Sequence, residues 1–244
     1  QRYKTLVGTP QGGNLSPLLS NIMLNELDKE LENRGLRFVR YADDCVITVG
    51  SEAAAKRVMH SISRYIEKRL GLKVNMTKTK NVRPSKLKYL GFGFWKSSEG
   101  WKSRPHQDSV QSFKRKLKKL TARKWSIDLD NRIERLNWVI RGWINYFSMT
   151  NMKSVMESID ERLRTRIRVI IWKQWKKKSR RLWGLLKLGV PKWIADKVSG
   201  WGDHYQLVAQ RSVLKRAISK LVLAKRGLVS CLDYYLKRHA LKVS

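Results

Sequence analysis

Between residues 37 and 50 the sequence reads RFVRYADDCVITVG, with two adjacent acids joining one β-forming apolar run (Phe38, Val39, Tyr41) to another (Val46, Ile47, Val49). Two such runs meeting at a short polar break predict an antiparallel hairpin with Asp43 and Asp44 at its tip. Both flanks follow the helical period instead. Upstream, SPLLSNIMLNELDKELENRG (16–35) predicts a helix with Ser16 as N-cap, Pro17 at the first helical position and Gly35 beyond its end; its apolar stripe includes Leu19, Ile22, Leu27 and Leu31. Downstream, Ala55, Val58, Met59, Ile62, Ile66 and Leu70 share one face of a helix from Glu52 to Leu70, with Gly71 as its stop. LKYLGFGF (87–94) predicts a further strand. Helix, hairpin, helix and strand in this order give an α+β segment, an antiparallel sheet with helices on one face.

The rest of the chain reads mainly as helices. Val110, Phe113, Leu117 and Leu120 keep helical spacing, and NRIE (131–134) forms a candidate capping box ahead of Leu136, Ile140, Ile144 and Phe147. RLRTRIRVII (162–171) fits both periods; the row Val155, Ile159, Leu163, Ile167 and Ile171 favours helix, which places Arg162 and Arg166 on one side and Arg164 and Arg168 nearly opposite. VLKRAISKLVLAKRGL (213–228) has the pattern of an amphipathic basic helix. The polar stretch KSSEGWKSRPHQ between Phe94 and Asp108 is where a domain boundary is expected, dividing the chain into 1–95, 108–185 and a C-terminal region 186–244.

Charge decides what such a chain meets. With 53 Lys and Arg against 19 Asp and Glu, the net charge of +34 exceeds what solubility requires, and a polyanionic partner is the simplest account. A hydrophobic content of 42% excludes a disordered basic tail. Runs such as Lys114, Arg115 and Lys118, then Arg141, Arg164 and Arg168, then Lys176 and Lys177, alternate with tryptophans and suit RNA, its phosphates neutralised and its unpaired bases stacked. The two cysteines, Cys45 and Cys231, lack metal-ligand spacing and fit a reducing compartment, the cytoplasm of a bacterium or an organelle interior. No apolar run reaches the roughly 18 residues of a membrane span, so no membrane partner is expected. His60, His106, His204 and His239 show no metal spacing either.

Why should so cationic a chain concentrate negative charge at one tip? Adjacent carboxylates repel unless cations offset them, and hard divalent ions prefer oxygen ligands. Asp43 and Asp44 are therefore candidate ligands of two Mg2+ ions, Mn2+ being able to substitute, in a phosphoryl-transfer site. In PQGG (10–13), Gln11 offers an amide donor and acceptor, while Gly12 and Gly13 allow close approach of a nucleotide to the backbone.

GTPQGGNLSPLLSNIMLNELD (8–28), FVRYADDCVI (38–47), LGLKVNMTKTK (70–80) and LKYLGFGF (87–94) resemble, in order and spacing, the later palm motifs of group II intron-encoded reverse transcriptases, and RLNWVIRGWINYF (135–147) resembles the thumb or maturase segment of that family. The resemblance implies a reverse-transcriptase palm segment followed by a helical thumb/maturase domain and a C-terminal region that binds target DNA. It implies RNA-directed DNA synthesis from dNTPs on an RNA template with a DNA primer, together with binding of the group II intron RNA to assist splicing. Asp43 and Asp44 then match the paired catalytic aspartates, Asp43 the more direct metal ligand. Gln11, Gly12 and Gly13 line the nucleotide and template, Tyr41 and Ala42 the primer terminus, Asn75 belongs to the nucleotide and primer–template contacts, Lys78 is a catalytic candidate near the triphosphate, and Leu90 and Gly91 lie under the primer strand. The family's palm also carries a further aspartate upstream that no position here matches, and Gln1 already reads as the middle of a domain. An RNA-binding splicing cofactor without polymerase activity is the alternative this leaves open.

Overall fold

The structure, a computed structural model, describes residues 13–202 and 204–243, with side chains to residue 241. The chain forms two compact units, 1–83 and 84–244.

In the first unit, helix α1 (Ser16–Asn33) leads to the hairpin β1 (Arg37–Tyr41) and β2 (Asp44–Thr48), then to α2 (Glu52–Arg69). The chain enters α1 through a turn, the Ser16 amide donating to the Gly13 carbonyl at 3.1 Å. Leu15 thus takes the capping position in right-handed backbone, and Ser16 is the first helical residue instead of the N-cap. At the other end Gly35 (φ +65) lets the Leu36 and Gly35 amides turn back onto the Leu31 and Glu32 carbonyls. Leu24, Leu27 and Leu31 of α1 pack with Phe38, Cys45 and Ile47 of the hairpin and Val58, Ile62 and Ile66 of α2. Leu19 and Ile22, expected in that stripe, are instead 49% and 61% exposed, because only the C-terminal half of α1 meets this core. The α2 face is as expected, capped by Ser51, whose Oγ accepts from the Ala54 amide at 3.1 Å.

The second unit opens with a three-stranded antiparallel sheet, β3 (Lys88–Tyr89), β4 (Phe92–Ser97) and β5 (Gly100–Pro105). LKYLGFGF is therefore two strands, folded back at Leu90 (φ +50) and Gly91 (φ +81), the pair of positive φ values that a two-residue hairpin turn demands. Leucine in that conformation costs roughly 1–2 kcal/mol. Three donors hold the turn there: Tyr146 Oη to the Leu90 carbonyl (2.9 Å), and Ser109 Oγ and the His106 amide to the Gly91 carbonyl (2.9 and 2.8 Å). The polar stretch expected as a boundary is thus the β4–β5 hairpin, in which Trp95 faces Lys102 and Trp101 faces Lys96.

Helices α3 (Gln107–Leu120), α4 (Leu129–Phe147), α5 (Lys153–Gln174), α6 (Lys178–Lys187), α7 (Lys192–Ser199), α8 (Tyr205–Gln210), α9 (Ser212–Ala217), α10 (Lys220–Lys225) and α11 (Cys231–Val243) follow. The α+β segment leading into a helical region is the architecture expected. Asp128 caps α4, its carboxylate accepting from the Asp130 and Asn131 amides, so Asn131 is a donor within the first turn and the NRIE box does not form. The row from Val155 to Ile171 is the packed face of α5, and Ile133, Leu136, Ile140, Ile144, Ile159, Leu163 and Ile167 build the main core. A second cluster centres on Trp172 and Leu185. The segment 213–228 is broken into α9 and α10, because Ser219 accepts from the Val222 amide and restarts the helix.

Four arginines hold this unit together through backbone carbonyls. Arg132 donates to the carbonyls of Leu120 (2.5 Å) and Trp125 (2.6 Å), and Arg166 to those of Lys118 and Thr121 (both 3.1 Å), where α3 ends. Arg168 Nε donates to the Ile218 carbonyl after α9 at 3.0 Å. Arg181 bridges the Trp175 and Trp201 carbonyls at 2.9 and 2.6 Å. Helix C-termini are the negative ends of their dipoles and leave carbonyls unpaired, which offsets the desolvation of each guanidinium. Burial still lowers the pKa of Arg132, Arg166 and Arg168.

Candidate active site and nucleic-acid interface

The acidic tip is built by the β1–β2 register. Tyr41 pairs with Asp44, leaving Ala42 and Asp43 as the turn. Ala42 adopts φ +50, a conformation alanine seldom takes, and something must hold it. Arg40 does: its Nη1 donates to the Ala42 carbonyl and to Asn21 Oδ1, both at 3.1 Å, while Nε and Nη2 clasp the two Asp28 oxygens at 2.7 and 2.5 Å. A bidentate guanidinium–carboxylate pair is rigid, and this one ties the tip to α1. The Asp28 partnership raises the Arg40 pKa, so the clasp stays charged. Beneath the hairpin, burial pushes the Cys45 thiol up to about 11, making it a packing group and not a nucleophile.

The pleat then separates the two acids. Phe38, Arg40, Cys45 and Ile47 lie on the face toward α1 and α2, so Asp44 shares the outer, solvated face with Val39 and Tyr41. Asp43 reaches the opposite way, its Oδ1 accepting from Ser20 Oγ of α1 at 3.3 Å. Both carboxylates are exposed, with hard oxygens of the kind Mg2+ selects. They fit a divalent ion in donor type and accessibility; among the described residues no group of three or more His, Cys, Asp and Glu side chains completes the set.

Of the other expected residues in this unit, Gln11 and Gly12 lie outside the described residues, and Gly13 supplies the carbonyl that starts α1. Asn75 shapes a tight turn: its Oδ1 accepts from Thr77 Oγ1 (2.6 Å) and the Lys78 amide (3.2 Å), leaving the Lys78 side chain exposed. Ser20, Asn21, Asp28 and Arg40 were not singled out by sequence. Of these only Arg40, flanking the acid pair on a predicted strand, carried a readable signal.

In the second unit Arg115, Lys118, Arg141, Lys176 and Lys177 are exposed and Lys114 is half-buried. Arg168 is a correction: 5% exposed and bonded to Ile218, it is a structural group and cannot reach RNA. Arg164 is half-buried and ion-paired with Asp160 at 3.7 Å, which leaves it less available than spacing suggested. Trp172 is core, while Trp183 is 48% exposed, with Arg180 at 4.3 Å and Lys187 at 5.0 Å from its ring centre. Leu90 and Gly91, with Phe113, Lys116, Trp143 and Tyr146, line a shallow aromatic recess. Among the described residues no helix is long and apolar enough to cross a membrane.

This arrangement, an acid-tipped hairpin in one unit and a basic helical surface in the other, agrees with the comparisons. Residues 1–94 match the reverse transcriptase (RNA-dependent DNA polymerase) family, and residues 110–189 the maturase-specific domain of group II introns. The chain thus carries a reverse-transcriptase segment followed by a group II intron maturase-specific segment. It is similar to protein YkfC of Escherichia coli (strain K12), 35% identical over 30% of this chain and 28% of that protein. It is 41% identical to the group II intron-encoded protein LtrA of Lactococcus lactis subsp. cremoris over 26% of this chain and 11% of that protein. A COX1/OXI3 intron 2 protein of Saccharomyces cerevisiae is 28% identical over 43% of this chain and 19% of its own length. The chain thus spans under a third of each of these relatives.

Proposed function

We propose that this chain works within an RNA-directed DNA polymerase that also binds its group II intron RNA as a splicing maturase. Residues 1–95 serve as palm segment, 108–185 as thumb/maturase domain and 186–244 as a region for target DNA. The observation that carries the polymerase reading is the exposed Asp43, held on a turn that Arg40 locks to α1.

Bound at this tip, Mg2+ would supply Lewis-acid stabilisation of the charge that develops on the transferred phosphate and the leaving pyrophosphate. The chain's own residues contribute position and charge. Asp43 holds its oxygens at a fixed place because Arg40 prevents the Ala42 turn from relaxing. Asp44, on the outer face, adds negative charge without sharing the Asp43 position. Tyr41, exposed beside Asp44, presents a ring to the primer terminus. Lys78 extends from a turn fixed by Asn75, where an ammonium can counter triphosphate charge.

The second reading, an RNA-binding splicing cofactor without DNA synthesis, is favoured by the incomplete carboxylate set among the described residues. Primer extension separates the two. The protein expressed from its complete reading frame is expected to extend a DNA primer on an RNA template with Mg2+; binding without extension would leave only the cofactor reading. Filter binding of the 244-residue chain to structured RNA is expected to weaken by about a thousandfold or more between about 50 and 200 mM salt, given several phosphate contacts. An affinity flat with salt would contradict the polyanion argument.

A further inference from the structure

Ser20 stands in the second turn of α1, too far inside the helix to cap it. A serine there is a poorer helix former than alanine, because its hydroxyl competes for backbone groups. The hydroxyl therefore adds nothing to α1 itself. What it meets lies outside the helix: Ser20 Oγ donates to Asp43 Oδ1 at the hairpin tip, at 3.3 Å.

Little else holds that carboxylate. The Arg40 clasp fixes the main chain of the tip through the Ala42 carbonyl, Asn21 and Asp28, but it leaves the Asp43 side chain free to rotate about its own bonds. Among the described residues the Ser20 bond is the one hydrogen bond the Asp43 carboxylate accepts. Consecutive residues of α1 thus act on two levels: Asn21 supports the backbone of the turn through Arg40, and Ser20 orients the carboxylate. With Oδ1 drawn toward α1, the trigonal carbon turns Oδ2 away from the helix. Asp44 lies on the outer face of the hairpin, away from this support.

We propose that Ser20 is a positioning residue for Asp43: by holding Oδ1 it presents Oδ2 as the single oxygen that binds a divalent cation. The proposal rests on the polymerase reading above and deepens it, adding a group that touches neither metal nor substrate. A hydrogen bond to a ligating carboxylate sets its orientation before the ion arrives, so less side-chain freedom is lost on binding. It also selects among ions. A donor on Oδ1 disfavours the two-oxygen grip, which the flexible coordination of Ca2+ accepts and the near-octahedral demand of Mg2+ does not.

The test titrates Mn2+, an octahedral stand-in for Mg2+, into the protein expressed from its complete reading frame. Electron paramagnetic resonance reads the free ion, Ca2+ serves as competitor, and a melting curve is taken alongside. Ser20→Ala is expected to weaken Mn2+ binding about tenfold, the low end for losing an outer partner of a metal ligand. Its Ca2+ affinity should change by less than about threefold, since Ca2+ tolerates either grip. Its Tm should stay level or rise slightly, alanine being the better helix former. Ser20→Thr keeps the hydroxyl and should bind Mn2+ within about threefold of wild type. A serine that merely tethers the hairpin would give the reverse, a lowered Tm with Mn2+ affinity unchanged. That result, an equal loss for Mn2+ and Ca2+, or a threonine variant as weak as alanine would overturn the role of Ser20; Mn2+ binding that still depends on Asp43 would leave the polymerase reading standing. Mn2+ affinity unchanged in Asp43→Ala would overturn both.

Discussion

Asp43→Ala, in the protein expressed from its complete reading frame, is expected to slow primer extension by at least about a thousandfold, since a metal site supplies several kcal/mol and each 1.4 kcal/mol is tenfold in rate. RNA affinity should stay within about twofold, because one exposed acid adds little to a binding dominated by many phosphate contacts. The fold should also survive. Arg40 fixes the turn through the Ala42 carbonyl and Asp28, and the Asp43 side chain contributes one 3.3 Å contact from Ser20. The geometry further orders the two acids. Asp44 points to the outer face, so Asp44→Ala should cost less than Asp43→Ala; single-turnover extension rates of the two variants measure this. Equal rates for wild type and Asp43→Ala would remove the catalytic assignment.

Asp160→Ala should be the most damaging single substitution for the helical unit, at about 3–5 kcal/mol, the range for leaving a buried charged network without one partner. Asp160 projects from α5 and is 4% exposed. Its oxygens accept from the Cys231 amide (2.7 Å), the Leu232 amide (3.2 Å) and Ser230 Oγ (2.6 Å), so a residue seventy positions away does the work of an N-cap for α11. Arg164 would lose its carboxylate at the same time. A drop in Tm of roughly 10 °C follows at about 2–4 °C per kcal/mol. Circular dichroism melting reads it, and Asp160→Asn, which keeps one acceptor oxygen, should recover part of the loss. A loss below about 1 kcal/mol would mean that α11 is anchored by other contacts, such as Tyr235 to the Thr150 carbonyl.

How far the residues alone revealed this molecule depended on range. The α2 face, the buried row of α5 and the YADD hairpin were legible because their periods are local, 3.6 or 2 residues, and their stops are glycines or tight turns. The β4–β5 hairpin was not. Its tryptophans and lysines pair across the strands and stay largely solvated, so WKSSEGWKS lacks the alternation that marks a half-buried sheet. Caps were misassigned where two good candidates lay a few residues apart, Asp128 against Asn131, since either can accept from early amides and only the preceding chain path decides. The basic runs misled most. Arg168 and Arg166 look like RNA contacts in a row of cations, yet the Ile218 carbonyl, fifty residues on, claims the first and the end of α3 the second. Whether a guanidinium meets a phosphate or a helix C-terminus is a tertiary fact. At the tip, the acids were evident from four letters, but their division between two faces, and the Ser20 and Asp28 contacts that support them, came only from how α1 packs.

The most direct test of the central claim is paramagnetic broadening of backbone amide signals in the 244-residue chain on addition of Mn2+ in the presence of primer–template. Broadening is expected to be strongest at Ala42, Asp43 and Asp44 and to vanish there in Asp43→Ala. Broadening spread over other acidic positions, or unchanged at the hairpin after that substitution, would contradict it.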